Sequence, residues 1–425
     1  MLVDTQHALG REKKMQTRKA LEAKAFDYLH HLCRQIPNRR VGAEGNRMAT
    51  RFFAETLAGF GFSVETPKFG CMDWRDRGAR LQARGGEGFE VFSSPYSLPC
   101  EVDARLVVAR SVADLQACQP EKAVLLLLGE IAQEQLMPKH FPFYNPEHHQ
   151  KIYHLLESKA PLAIITATSS NPELAGGMYP FPMIEDGDFN IPSVYMKDVD
   201  GEQLARHAGR EIHLVIDSER IPSTGSNVIG RKQTRAARKI VLCAHIDAKD
   251  NTPGALDNGT GVVVLMLLAE LLQDYGGKLQ IELLTMNGED HYSAQGHKEY
   301  LQASQGSFGE IALAINIDVA GYVEGHSAFS LYGCPGPIAD AFRQAMLEYG
   351  SLAEGDPWYQ SDHSVFIQQG CPAAAITSDQ FMSLSTDITH TPKDDLDLVD
   401  YAKTVDVALA LHKVIENLNE NSMEV

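Results

Sequence analysis

Residues 239–272 read KIVLCAHIDAKDNTPGALDNGTGVVVLMLLAELL. Ile240 to His245 is a short, unbroken apolar run, the pattern of a strand buried on both faces. Gly261 to Leu272 is a longer apolar run that predicts a helix. Gly259 and Gly261 at its start let the first turn approach a neighbouring backbone closely. The loop between them carries Pro, Gly, Asp and Asn, the residues of turns. Strand, loop and covering helix form the repeating unit of a parallel sheet clad in helices.

The same alternation continues downstream. Strands are expected at Leu279 to Met286, Ile311 to Ile317, Ala328 to Tyr332 and Ala373 to Thr377. Helices are expected at Ser293 to Gln302, Ile338 to Tyr349 and, closing the chain, Tyr401 to Leu418. The pattern predicts an α/β fold with a largely parallel, mixed sheet between two helical layers. Upstream, helical spacing runs from Arg18 to Gly59, broken at Ile36 to Arg40, with a strand near Phe62 to Glu65. Between about Val102 and Ile216 the texture changes to short buried strands with few helices, which reads as a smaller β-rich α/β unit inserted into the first. The expected organisation is therefore 18–101 plus 217–425 as one unit and 102–216 as an insert. The basic stretch Arg231 to Lys239 reads as a solvated hairpin tip.

Five stretches end or follow apolar runs and offer hard metal ligands: Ala-His-Ile-Asp (His245, Asp247), Ala-Leu-Asp-Asn-Gly (Asp257), Asn-Gly-Glu-Asp (Glu289, Asp290), Asn-Ile-Asp (Asp318) and Thr-His-Thr-Pro (His390). Each alone has an ordinary structural reading as a cap, a turn or a satisfied histidine. Together, and placed where parallel strands emerge, they read as one two-metal hydrolase site. Such a site needs imidazoles and carboxylates, one carboxylate shared between ions, and a free carboxylate to take a proton from water. Asp247, two residues beyond His245, lies on the same side of an extended chain and is placed to orient the imidazole. Adjacent Glu289 and Asp290 point apart, so one can bind metal while the other faces water.

The bulk properties set the remaining bounds. The chain has 425 residues, 44% hydrophobic and 22% charged, ordinary for a globular protein. A net charge of -18 argues against nucleic acid and anionic membranes as partners. The seven cysteines are scattered without a paired motif, which fits a reduced, cytoplasmic protein better than a disulfide framework. The polar residues 1–19 hold no apolar signal core and read as a frayed arm. No Gly-x-Ser-x-Gly elbow and no Gly-x-Gly-x-x-Gly follows a strand, which disfavours serine-hydrolase and dinucleotide chemistry.

As an ordered set, AHIDAKDNTPGALDNGTGVVVLMLLAELL, TMNGEDHYSAQGHKEYL, INIDVAGY, YQSDHSVFIQQGCPAAAIT and THTPKDDLDLVD resemble the zinc aminopeptidases of metallopeptidase clan MH. That group includes bacterial leucyl-type aminopeptidases, glutamate carboxypeptidase, glutaminyl cyclases and the transferrin-receptor ectodomain. The opening IPNRRVGAEGNRMATRFFAETLAGFGFSVE is similar to the family's first helices. EKAVLLLLGE, APLAIITAT and IPSVYMKDVDGEQL resemble the protease-associated domain that the family often carries as an insert.

The resemblance implies a zinc exopeptidase fold and a set of roles. His245 and Asp318 would hold one zinc, Asp290 and His390 the other, and Asp257 would bridge them. Glu289 would be the general base and Asp247 would orient His245. The expected activity is release of N-terminal residues from a peptide or aminoacyl substrate. Two departures stand out. The family more often has Glu-Glu where this chain has Glu289-Asp290, so one zinc, two, or another divalent metal all remain open. Thr389 stands where some members have a tyrosine that assists the oxyanion, which leaves His363 as the candidate for a substrate or oxyanion contact. A single-zinc, cyclase-like acyl transferase and a non-catalytic binding relative are the alternatives. A homo-oligomer is compatible with all three.

Overall fold

The strand Lys239–His245 is buried along its whole length. Side chains alternate across a pleated strand, and here each set enters a different core. Ile240, Leu242 and Ala244 join one apolar cluster, while Val241 and Cys243 join another on the opposite face. The structure, a computed structural model, describes residues 2–36, 38–170, 176–233 and 235–420, with side chains from residue 15 onward.

Lys239–His245 pairs in parallel with Gln280–Met286 on one side and Ile311–Ile317 on the other. Ala373–Ser378 extends the parallel set beyond Ile311–Ile317. Antiparallel strands close both flanks. Val228–Lys232 and then Ser63–Glu65 lie beyond Gln280–Met286, and Ser327–Tyr332 and then Leu352–Glu354 lie beyond Ala373–Ser378. The expected mixed sheet is thus present as eight strands.

The helix Thr260–Leu271 is apolar all round because it is covered on all sides. It packs with the sheet and with the helices Tyr401–Glu420, Glu44–Gly59 and Leu2–His30 in one core. A side chain at Gly261 would collide with the Ile317 carbonyl. The bare glycine lets this helix begin against the end of the Ile311–Ile317 strand, which brings Asp257 and Asp318 together. Gln295–Ala303 and His363–Gln368 cover the other face.

The basic stretch is not a solvated hairpin. Val228–Lys232 and Lys239–His245 are separated by Gln280–Met286, which lies between them. Both ends of the stretch turn inward to neutralise Glu282, a carboxylate with no exposure in mid-strand. Arg231 Nε lies 2.8 Å and Lys239 Nζ 3.2 Å from its Oε2. A buried charge demands such partners, and the apolar texture around residue 282 hides that demand.

The second sheet also has eight strands, with the parallel set Cys100–Ala109, Ala123–Leu127, Ala163–Thr168 and Ser193–Lys197 at its centre. It begins earlier in the chain than residue 102 and ends later than 216. Lys68–Ala83 pairs with Glu211–Ser226 from Lys68 opposite Ser226 to Ala83 opposite Ile212. Gly88–Phe89 and Phe92–Ser93 add short edges. The two long strands reach from the first sheet out to the second, so the change of architecture falls near residues 66 and 227. Among the described residues no helix is long and apolar enough to cross a membrane.

Candidate metal centre

Four ligand-bearing loops meet beyond the carboxyl ends of the parallel strands. His245 is the last residue of its strand. Glu289 and Asp290 follow Gln280–Met286, and Asp318 follows Ile311–Ile317. Asp257 lies on the turn before the helix Thr260–Leu271, and His390 on the loop before Tyr401–Glu420. His390 adopts a φ of 64°, a left-handed conformation that aims its ring back toward Asp257.

The side chains form two triads that share Asp257. In the first, His245 Nε2 lies 3.1 Å from Asp257 Oδ1 and 3.6 Å from Asp318 Oδ1. In the second, His390 Nε2 lies 3.2 Å from Asp257 Oδ2 and 3.1 Å from Asp290 Oδ1. One oxygen of Asp257 faces each triad, the arrangement of a bridging carboxylate. His245 Nε2, Asp318 Oδ1 and Asp290 Oδ2 are buried without a hydrogen-bond partner. Buried polar atoms left unpartnered in this way are costly unless something else satisfies them. Imidazole nitrogens and carboxylate oxygens are a donor set that suits zinc. The shorter arm of Asp290 does reach His390.

The electrostatics agree with that fit. Burial opposes ionisation of Asp257, but His245 and His390 outweigh it and hold the carboxyl well below its usual range. Burial likewise opposes charge on both imidazoles, yet the surrounding carboxylates raise them well above the ordinary histidine value. A crowd of carboxylates is thus drawing in positive charge, and divalent ions would replace the protons. Glu289 differs from its neighbours. Burial, reinforced by Asp290, Asp318 and Asp362, raises it well above the ordinary glutamate value.

Asp247 is in the site but acts differently from the expectation. His245 Nδ1 donates to the Asp247 main-chain carbonyl at 3.2 Å, and the carboxylate stands 3.8 Å away. That hydrogen bond leaves the Nε2 lone pair for a metal. The Asp247 carboxylate instead accepts from the amides of Gly288 at 2.7 Å and Asp290 at 3.1 Å. It therefore fixes the loop that presents Glu289 and Asp290.

His363 is not brought to the triads. It is fully buried, its Nε2 donating to the Trp358 carbonyl at 2.7 Å and its Nδ1 lying 3.4 Å from Asn316 Nδ2. With both nitrogens engaged, the ring cannot double as an oxyanion donor.

Other residues support the centre without having stood out in the sequence. Ser361 donates to Asp318 Oδ2 at 2.7 Å, within the quoted SDH stretch. Arg39 spends its guanidinium on the carbonyls of Leu32, Ile246, Pro253 and Gly254. Lys249 pairs with Glu185 of the second sheet's unit at 2.9 Å. The same unit touches the His390 loop, where Gly177 donates to the Thr389 carbonyl at 3.0 Å. A side chain at Gly177 would come within 2.7 Å of the Asp387 carbonyl carbon.

A third cluster, Glu134, His148 and His149, lies in the outer unit. His149 Nδ1 accepts from the Met137 amide at 3.0 Å. Its Nε2 must then carry the hydrogen, facing Glu134 Oε1 at 3.2 Å. That tautomer is neutral and leaves Nε2 no lone pair for a metal, so the cluster consists of contacts of two histidines with Glu134.

Residues 227–415 match the family model Peptidase family M28. Every residue of both triads falls within the matched segment, as does Glu289. Among curated relatives, the probable lipoprotein aminopeptidase LpqL of Mycobacterium tuberculosis is 24% identical over 295 residues, 66% of this chain and 54% of its own length. Aminopeptidase YwaD of Bacillus subtilis is 25% identical over 236 residues, 51% of this chain and 49% of its own. The chain thus spans about half the length of these relatives. A solved zinc aminopeptidase from Bacillus subtilis superposes with a TM-score of 0.73 at 18% identity, covering 95% of this chain and 96% of that one. At that identity the match shows a shared fold, which extends over both sheets.

Proposed function

We propose that this protein is a two-zinc aminopeptidase in which Glu289 is the general base. The observation that carries the reading is the pair of triads sharing Asp257, with the half-buried Glu289 beside them. Bound divalent ions lower the pKa of water and polarise a scissile carbonyl. The chain's own residues do the rest. His245 and Asp318 hold one position, Asp290 and His390 the other, and Asp257 spans both. Glu289 takes the proton of the attacking water on its carboxylate and returns it to the leaving amine.

Exo-cleavage is supported by the outer unit, which stands as a wall on the site. Gly177 lies on the His390 loop, Glu185 locks onto Lys249, and the ring of Phe143 packs 5.4 Å from that of His297. Near Ser361 the rim carries Trp358 packed at a tilt against Phe381, with Tyr359 and Met382 59% and 68% exposed. This apolar rim favours a large apolar residue at the substrate N-terminus.

The test is a panel of aminoacyl fluorogenic substrates, free and N-acetylated, combined with metal analysis of Glu289→Gln. Free apolar aminoacyl substrates should be cleaved and their acetylated forms should not. The variant should keep its metal and lose about 10²–10⁴-fold in kcat, the usual contribution of a general base. Near-wild-type turnover in the variant would remove Glu289 from this role. Conversion of N-terminal glutaminyl peptides to pyroglutamyl products, without hydrolysis and with one ion per chain, would favour the cyclase reading instead.

A further inference from the structure

Asp394 is completely buried, four residues after His390 and on the same loop. Its Oδ1 accepts from the Leu256 amide at 2.7 Å and its Oδ2 from the Asp257 amide at 3.0 Å. Its main-chain carbonyl accepts from the Ala255 amide at 3.2 Å. Three successive amides of the segment bearing Asp257 are therefore held by one residue of the His390 loop. From the other direction, Arg39 donates to the carbonyls of Pro253 and Gly254, each at 2.8 Å. The backbone leading into Asp257 is gripped by an anion at its amides and by a cation at its carbonyls. A buried carboxylate is expensive unless its oxygens are satisfied, so this placement specifies a position for the segment.

We infer that Asp394 is a positioning residue that sets the bridging carboxylate of Asp257 before any ion arrives, and so ties both metal positions to the His390 loop. This rests on the reading of Asp257 as a shared ligand. Two features follow from the geometry. Both ions lose affinity together when Asp394 is altered, because both share Asp257. The Asp257 segment is also ordered in the metal-free protein.

The test titrates metal-free wild type, Asp394→Asn and the exposed Asp397→Asn with Co²⁺, read by stoichiometry, affinity and the visible absorption of the bound ion. Asparagine keeps one acceptor and turns an NH₂ toward the second amide, so one of the two bonds is lost. Wild type and Asp397→Asn should each take two ions with the same spectrum. Asp394→Asn, with unchanged circular dichroism, should bind both about 10–100-fold more weakly, the usual cost of losing a group that orients a ligand. Its absorption should also shift as the coordination geometry relaxes. A variant that matches wild type in affinity and spectrum overturns the inference while leaving the metal reading intact. A wild type that takes up no Co²⁺ overturns both.

Hydrogen exchange on the metal-free wild type gives a second route that needs no variant to fold. The Leu256 and Asp257 amides should be protected relative to Asn251 and Thr252. Exchange as fast as at those two residues contradicts preorganisation.

Discussion

Single carboxylates in this protein take roles decided by which atoms they face. Asp257 offers one oxygen to each triad, while Asp247 turns both of its oxygens to main-chain amides. The side chains that gather in the two triads were legible because strand ends and hard donors coincided in the sequence. The supports were not. Asp394 sits in a run of acidic residues that reads as solvated surface, and nothing local shows that its partners lie at residues 255–257. Asp247 was legible as part of the site, but only coordinates distinguish its carbonyl from its carboxylate as the partner of His245. His363 misled for a similar reason, since a histidine near ligand motifs gives no sign of where its nitrogens point. Replacing it with Phe keeps the ring contacts to Trp358 and Tyr332 but removes one of two hydrogen bonds to the Trp358 carbonyl, to which the Tyr332 hydroxyl still donates. Stability should fall by about 0.5–1.5 kcal/mol, measured by thermal unfolding, with kcat little changed. A kcat loss of about 10²–10³, the size seen when an oxyanion donor is removed, would restore His363 to the catalytic machinery.

At the scale of elements, the parallel strands and the apolar helix were readable because burial on both faces leaves unbroken apolar runs. Strand Gln280–Met286 is the informative exception, since it carries Glu282 in its middle. Burial opposes the charge on Glu282, but Lys239, Arg231 and the Tyr300 hydroxyl, 2.7 Å away, outweigh it and lower its pKa. A folded pKa below the unfolded one contributes stability above the ordinary value of 4.5, and that stability is lost as the pH falls through the folded value. Glu282→Gln should cost about 3–5 kcal/mol at neutral pH, because Lys239 loses its counter-charge and Arg231 keeps only the exposed Glu65. Its unfolding free energy should also decline less steeply than wild type between pH 5 and the folded pKa. Denaturant titrations across that range check both points. Parallel pH slopes for the two proteins would show that Glu282 pairing does not couple to folding. The long strand Lys68–Ala83, and Glu211–Ser226 beyond Ile216, were illegible for the opposite reason. Their outer faces are charged, so the alternation that marks a half-buried strand is diluted.

For the molecule as a whole, the arrangement of two sheets matters more than the net charge. The first sheet sets out the ligands, and the second stands against the His390 loop, Lys249 and the helix after Glu289. The second sheet takes in the segment 102–216, whose change of texture suggested an insert, and also draws long strands from both flanking segments. The whole account depends on one carboxylate serving two ions. Anomalous diffraction from crystals grown with zinc tests this directly. The account predicts two peaks per chain about 3.5–4 Å apart, one beside His245 and Asp318, the other beside His390 and Asp290, with Asp257 between them. A single peak, or two that do not share Asp257, would contradict it.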